Sequence, residues 1–211
     1  MSDYRNTKYC QELNNLVEKK NSVKDSVIKE HGKAEDIHAY ISKNDKPFKR
    51  MFVEAYNGKC AYCGVSIDII SLRGFEIDHL IPKTANRFAD GQTKAGHIEN
   101  LILACHDCNR SKSDFQCPDA DLPKINPDFP DIANSFVRDD DYYIRINTSI
   151  EHNDTVDSFY RKLDLGNQLH RIDFLLMNMI GLSRKLTNMH PAYAKLMETI
   201  VLLQEKRNLM G

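Results

Sequence analysis

CAYC (60–63), FEIDHLIP (75–82) and ENLILACHDCNRSK (99–112) belong to one stretch of the chain, and the reading of that stretch decides the fold. It holds two C-x-x-C pairs, Cys60/Cys63 and Cys105/Cys108, separated by 41 residues. A C-x-x-C turn aims two thiolates at one point. Two such turns can complete a tetrahedral sulfur site for Zn²⁺. Four unrelated buried thiols, or a redox pair, are the other reading of the same cysteines. Zinc is favoured because two pairs flank Asp78-His79 and because Met1 to Lys8 is polar, with no secretion signal, which points to a reducing compartment. With all four positions filled by cysteine, this zinc would be structural.

Phe75 to Ile81 is a short apolar run that ends at Pro82, and its β-branched and aromatic residues suggest a strand leading into a turn. Neighbours on a strand face opposite ways, so Asp78 and His79 can do different work. Asn109 follows Cys108 where a short helix over 109–115 is expected. By itself, an Asn there reads as an N-cap.

The pattern C-x-x-C, I-D-H-x-x-P, E-N-L-x-x-x-C-x-x-C-N-x-x-K resembles the HNH endonuclease family in its zinc-stapled form, over residues 60–112. The resemblance implies an α+β protein. Its ββα-metal core would carry a structural four-cysteine zinc site and be embedded in N- and C-terminal helices. It also implies a role for each matching residue. Asp78 falls on the first metal ligand, His79 on the general base, and Asn100 on the Asn that orients the base loop. Asn109 falls on the second metal ligand, where some members carry His. A carboxylate and an amide oxygen suit Mg²⁺ or Mn²⁺ better than Zn²⁺ at the catalytic position.

The chemistry that this implies is phosphodiester hydrolysis. His is the side chain best placed to take a proton near neutral pH, and a divalent ion stabilises charge on the phosphate and the leaving oxygen. Arg110 or Lys112 could steady a phosphate oxygen; a solvated helix face is the alternative for both. His106 and His97 lie near the cassette, and neither is expected to be a ligand. Lys83, Arg87 and Lys94 sit in a polar loop over 83–97 and could face a nucleic-acid backbone, or only solvent.

The chain has 211 residues, a net charge of −1 and 41% hydrophobic residues. That suffices for a core, and no apolar run approaches the ~20 residues that span a bilayer. A cytoplasmic protein with no membrane association is expected. A net charge so near zero is not that of a strong non-specific DNA binder, so binding would need a partner or a patch that folding assembles.

Three segments are expected: an N-terminal helical arm over 1–45, the nuclease core over 46–118, and a C-terminal wrap with a helical hairpin over 119–211. Apolar spacing predicts helices over 8–31, 34–43 and 47–57, and a helical turn at Ile98–Leu103. Four prolines and many aspartates over 117–141 mark a change of texture. YYIRIN (142–147) reads as a strand. Helices follow from Thr155, with Met177, Met179 and Met189 expected in the core. The layout FYRKLDLGNQLHR (159–171) is also similar to HNH proteins of bacterial anti-phage systems of the Septu and retron-associated kind. That likeness implies a separate ATPase partner subunit and DNA as the target. The competing class is a zinc-stapled module that binds nucleic acid or protein without cutting, as an assembly subunit.

Overall fold

The computed structural model describes residues 3–43, 47–89 and 91–210, without the side chains of Gln92 and Thr93. In chain order the elements are α1 (Leu16–His31), α2 (His38–Ile41), α3 (Pro47–Ala55), β1 (Phe75–His79), β2 (Leu101–Cys105), α4 (His106–Lys112), α5 (Leu122–Ile125), α6 (Ile132–Ser135), β3 (Phe136–Arg138), β4 (Ile144–Ile146), α7 (Asp154–Lys162), α8 (Gln168–Ser183) and α9 (Tyr193–Asn208). Short 3₁₀ turns lie at 72–74, 86–88, 92–96 and 98–100. The boundary expected between residues 45 and 46 lies outside the described residues.

The ββα unit is β1, β2 and α4. The strands pair antiparallel, with Phe75 opposite Cys105 and His79 opposite Leu101. Here the structure corrects the sequence reading. Only Ile98–Asn100 form a helical turn, and Leu101 to Cys105 are strand. All five of those residues are buried. A short run that is apolar on both sides of the pleat fits a strand covered on both faces. Helix α4 begins at His106, earlier than expected. Asn109 therefore sits inside the helix and is not its N-cap. Its carbonyl accepts the N–H of Ser113 at 3.0 Å.

The expected helix over 8–31 is shorter as well. It starts at Leu16, after Asn15 turns through a left-handed conformation with φ 49°. Residues 3–13 instead form a strap across the first C-x-x-C turn. The Tyr4 hydroxyl donates to the Tyr62 carbonyl at 2.5 Å. Arg5 donates to the carbonyls of Ala61 at 2.7 Å and Pro127 at 2.8 Å. The strap lies so close that a Cβ at Gly64 (φ 83°) would meet the Arg5 carbonyl oxygen at 2.8 Å. Gly64 is thus required both by its backbone angle and by its neighbour.

Helix α1 packs on α3; its Leu16, Val23 and Val27 are buried, while Val17 and Ile28 stay exposed. It also buries Lys20, whose ammonium pairs with Asp128 in the wrap. The Tyr56 hydroxyl donates to the same carboxylate at 2.6 Å. Burial lowers the Lys20 pKa, and Asp128 opposes that shift. Removing one member of such a pair strands the other charge in the interior. Lys20→Met is therefore expected to cost about 3–5 kcal/mol, read as a lower urea midpoint. An unchanged midpoint would show that Asp128 finds another partner.

The proline-rich segment wraps the core. Ile125, Ile132 and Phe136 are buried, while Phe129 is exposed. The strand expected at 142–147 is found at Ile144–Ile146, paired antiparallel with β3. Aromatic contacts stitch this layer to the cassette: Phe159 of α7 meets Tyr62 at 5.7 Å and Phe115 at 5.4 Å between ring centroids. One apolar cluster runs from Tyr4 to Leu165. A smaller one, Ile172, Leu176 and Ile200, joins α8 to α9. Met177 is buried, but Met189 is 89% exposed in the connection between those helices, against expectation. Among the described residues, no helix is long and apolar enough to cross a membrane.

Candidate active site

The four cysteines come together as their spacing implied. Their sulfurs all lie within 4.8 Å of one another, and all four residues are buried. Cys63 Sγ is 3.8 Å from Cys105 Sγ. A tetrahedron with zinc–sulfur bonds of about 2.3 Å has edges of about 3.8 Å, so this thiol set fits the ion. The first knuckle is tied to the sheet by the Ala61 N–H, which donates to the Leu103 carbonyl at 2.8 Å. The second knuckle joins the end of β2 to the first turn of α4. The cluster therefore fixes how the strand pair and the helix meet.

It also reaches Asp78. Tyr62 stands inside the first knuckle, and its hydroxyl donates to Asp78 Oδ2 at 2.5 Å. From the other side the Lys112 ammonium lies 3.1 Å from Oδ1 and 3.0 Å from Oδ2. Lys112 also donates to the His79 carbonyl at 2.8 Å. Burial raises the Asp78 pKa, and Lys112 and Tyr62 pull it back in part. This corrects the expectation for Lys112. Its side chain is fully buried against Asp78, and no ammonium is presented to a phosphate. Arg110, two residues earlier on α4, is exposed.

Lys112→Met should leave a buried carboxylate without its cation and cost about 3–5 kcal/mol. Adding Asp78→Asn should recover much of that loss in thermal unfolding. A double variant no more stable than the single one would mean that Lys112 matters through packing alone.

Asn109 takes a different partner from Asp78. Its amide donates to Glu76 Oε2 at 2.5 Å, and His106 Nδ1 lies 2.8 Å from Glu76 Oε1. Burial would raise the Glu76 pKa, but these two bonds and the His106 charge outweigh it and hold the carboxyl below its ordinary value. Glu76 and Asp78 are two apart on β1 and so share the face turned to α4. Sequence reasoning missed Glu76, although the period of two was there to show it; it also assigned nothing to His106 or Tyr62. The oxygens of Asp78, Glu76 and Asn109 are hard donors of the kind that Mg²⁺ or Mn²⁺ takes, and in donor chemistry they fit such an ion.

His79 ends β1 and faces away from Asp78. Asn100 fixes the loop that follows. Its side chain accepts the Ile81 N–H at 2.8 Å and donates to the carbonyls of Ile81 at 2.9 Å and Ala95 at 3.0 Å. Its own carbonyl accepts the Leu80 N–H at 2.8 Å. The His79 Nε2 atom is buried with no partner. Burial lowers its pKa to about 3, with further contributions from His38, Lys83 and Lys112. The imidazole is thus neutral at pH 7, as a base must be, but holds a proton weakly. An anionic phosphate beside it would raise that affinity.

Beyond the loop, a cleft of about 410 Å³ is lined by Leu80, Ile81, Lys94 and His97 among others. Lys83 and Lys94 are exposed, whereas Arg87 is engaged with Asp119.

Residues 60–115 match the family model described as HNH endonuclease. This segment is an HNH domain. Over 60 residues the chain is 38% identical to the CRISPR-associated endonuclease Cas9 of Corynebacterium diphtheriae, covering 28% of this chain and 5% of Cas9. Over 75 residues it is 35% identical to the Septu protein PtuB of Bacillus mycoides, covering 32% of this chain and 25% of PtuB. The chain therefore spans a quarter or less of the length of these two relatives. No solved structure matches it. The family match ties residues 60–115 to nucleases in general.

Proposed function

We propose that this HNH protein is a metal-dependent endonuclease that hydrolyses phosphodiester bonds in DNA. In this reading His79 is the base that takes the proton of the attacking water, and Asn100 holds the base loop in place. Asp78 and Asn109 would hold one Mg²⁺ or Mn²⁺, which supplies charge stabilisation at the scissile phosphate. Arg110 would meet a phosphate oxygen, and zinc on Cys60, Cys63, Cys105 and Cys108 would staple the core. The observation that carries the reading is the placement around β1. One strand end presents a carboxylate toward α4 and an imidazole on the other side, and the loop behind them is pinned by three side-chain hydrogen bonds of Asn100. The likeness to PtuB supports a place as the nuclease of an anti-phage assembly. A separate ATPase subunit would be its partner there, and would supply the binding strength that a chain of net charge −1 lacks.

The test is cleavage of duplex DNA, single-stranded DNA and RNA by the purified protein in Mg²⁺ and in Mn²⁺, with and without the products of neighbouring genes. Cutting of DNA that needs the divalent ion is the expected result. The competing reading, a zinc-stapled module that no longer cuts, draws on Asp78, whose carboxylate already has Tyr62 and Lys112 as partners. Calorimetry with Mn²⁺ separates the two. A non-cutting module binds no ion through Asp78 and Asn109, so Asp78→Ala and Asn109→Ala would leave the titration unchanged.

A further inference from the structure

The His79 imidazole has a neighbour to which hydrolysis assigns no task. The His38 ring, on the first residue of α2, lies against it with centroids 4.5 Å apart and planes inclined at 49°. His38 is fixed in that place by its own segment. Ile37 and Ile41 are buried on either side of it. Asp36 accepts the Ala39 N–H at 3.3 Å, and its carboxylate sits so close over Gly96 that a Cβ there would run into it. Gly96 follows Ala95, whose carbonyl belongs to the Asn100 clamp. The segment 36–41 therefore spans from the turn behind the base loop to the base itself.

A histidine acting as base commonly has one ring nitrogen oriented by a carboxylate or carbonyl, so that the other is aimed at the water. Among the described residues His79 has no such acceptor. Its Nε2 is buried and unpaired, and no hydrogen bond is made by Nδ1. The second torsion of an imidazole is broad, so something other than a hydrogen bond must choose its orientation. The ring packed against it here is that of His38, inclined at 49°.

We propose that His38 is a positioning residue for His79: by packing on the ring it keeps Nε2 turned inward and leaves Nδ1 as the nitrogen that meets the attacking water. This rests on His79 being the base. It assigns to the N-terminal arm a share in the active site, beyond covering the core. Loss of the contact lets the ring swing, which lowers the fraction of molecules aligned for proton transfer. A change of about ten-fold is on the scale of one aromatic contact.

The experiment compares the full zinc-loaded wild type with His38→Ala, His38→Phe and His79→Ala. Single-turnover cleavage is measured on whichever nucleic acid the wild type cuts, and the ring nitrogens of His79 are followed by NMR in protein labelled at histidine, without substrate. His38→Ala is expected to lower kcat about ten-fold with KM and zinc content unchanged. His38→Phe, which keeps a flat ring but no titratable nitrogen, is expected to restore most of the rate. The His79 ring signals should be those of one fixed orientation in the wild type and the Phe variant, and averaged in the Ala variant.

A faster His38→Ala enzyme would make His38 a cover over the base and overturn the proposal. A Phe variant as slow as Ala would give His38 a proton-transfer role and overturn it equally. Identical His79 spectra with and without the His38 ring would overturn it even if no substrate is cut. Absence of cutting by the wild type, or cutting that survives His79→Ala, would instead bring down the nuclease reading or its base.

Discussion

Cys105→Ser is expected to cost the protein its zinc and, with the zinc, its cooperative fold. Structural zinc contributes on the order of 10–16 kcal/mol in small zinc domains, while a whole domain is stable by only about 5–15 kcal/mol. The four buried sulfurs are also the junction of three elements, since Cys60 and Cys63 precede the sheet, Cys105 ends β2 and Cys108 lies in α4. Losing the ion lets α4 leave the strands, and Asp78 then loses Lys112 from the helix and Tyr62 from the knuckle. Metal content by mass spectrometry and thermal unfolding by circular dichroism check this. The variant should hold less than one equivalent of zinc and show no sharp transition, and a strong chelator should do the same to the wild type. A zinc-free protein melting at the wild-type temperature would mean that the cluster is a set of ordinary buried thiols.

His79→Ala should abolish cleavage and leave the fold untouched. A positioned general base contributes about 10²–10⁴-fold to rate, so a loss of at least that size is expected. Stability should hold or rise slightly, because the imidazole makes no hydrogen bond and the substitution removes an unpaired buried nitrogen. Acid sensitivity supplies a second signature. The folded pKa of about 3 lies below the ordinary value of 6.5, so the unfolded chain binds the proton more readily between those values. The wild type then loses stability as pH falls from 6.5 toward 3, and His79→Ala should lose less over that window. Wild-type cutting by this variant would remove His79 from the chemistry. A variant without zinc would show that the ring is a structural group.

The cassette was legible because its signals are local and chemical. Two C-x-x-C turns announce their convergence from spacing alone, and Asp78-His79 before a proline gives the strand end. The contacts that complete the site are long-range and carry no such signal. Tyr62 reads as a spacer between cysteines until its hydroxyl is seen on Asp78. Lys112 reads as a surface cation until the helix start moves to His106 and turns its side chain into the core. The strand at 101–105 was hidden because a run of Leu, Ile and Ala has no period when both faces are covered. Residues 8–13 of the strap were lost inside a helix-like pattern, and nothing local reveals that Tyr4 and Arg5 seek carbonyls more than fifty residues away.

That strap also bears on the order in which the molecule can be made. Tyr4 and Arg5 take their places against Tyr62, Ala61, Pro127 and Arg138, the last of which donates to the Tyr4 carbonyl at 2.8 Å. These early residues must therefore wait on the ribosome for partners up to 134 positions downstream. Closing so large a loop is slow beside helix formation. Docking of the strap over the first knuckle therefore cannot be completed before the chain as far as Arg138 is at hand.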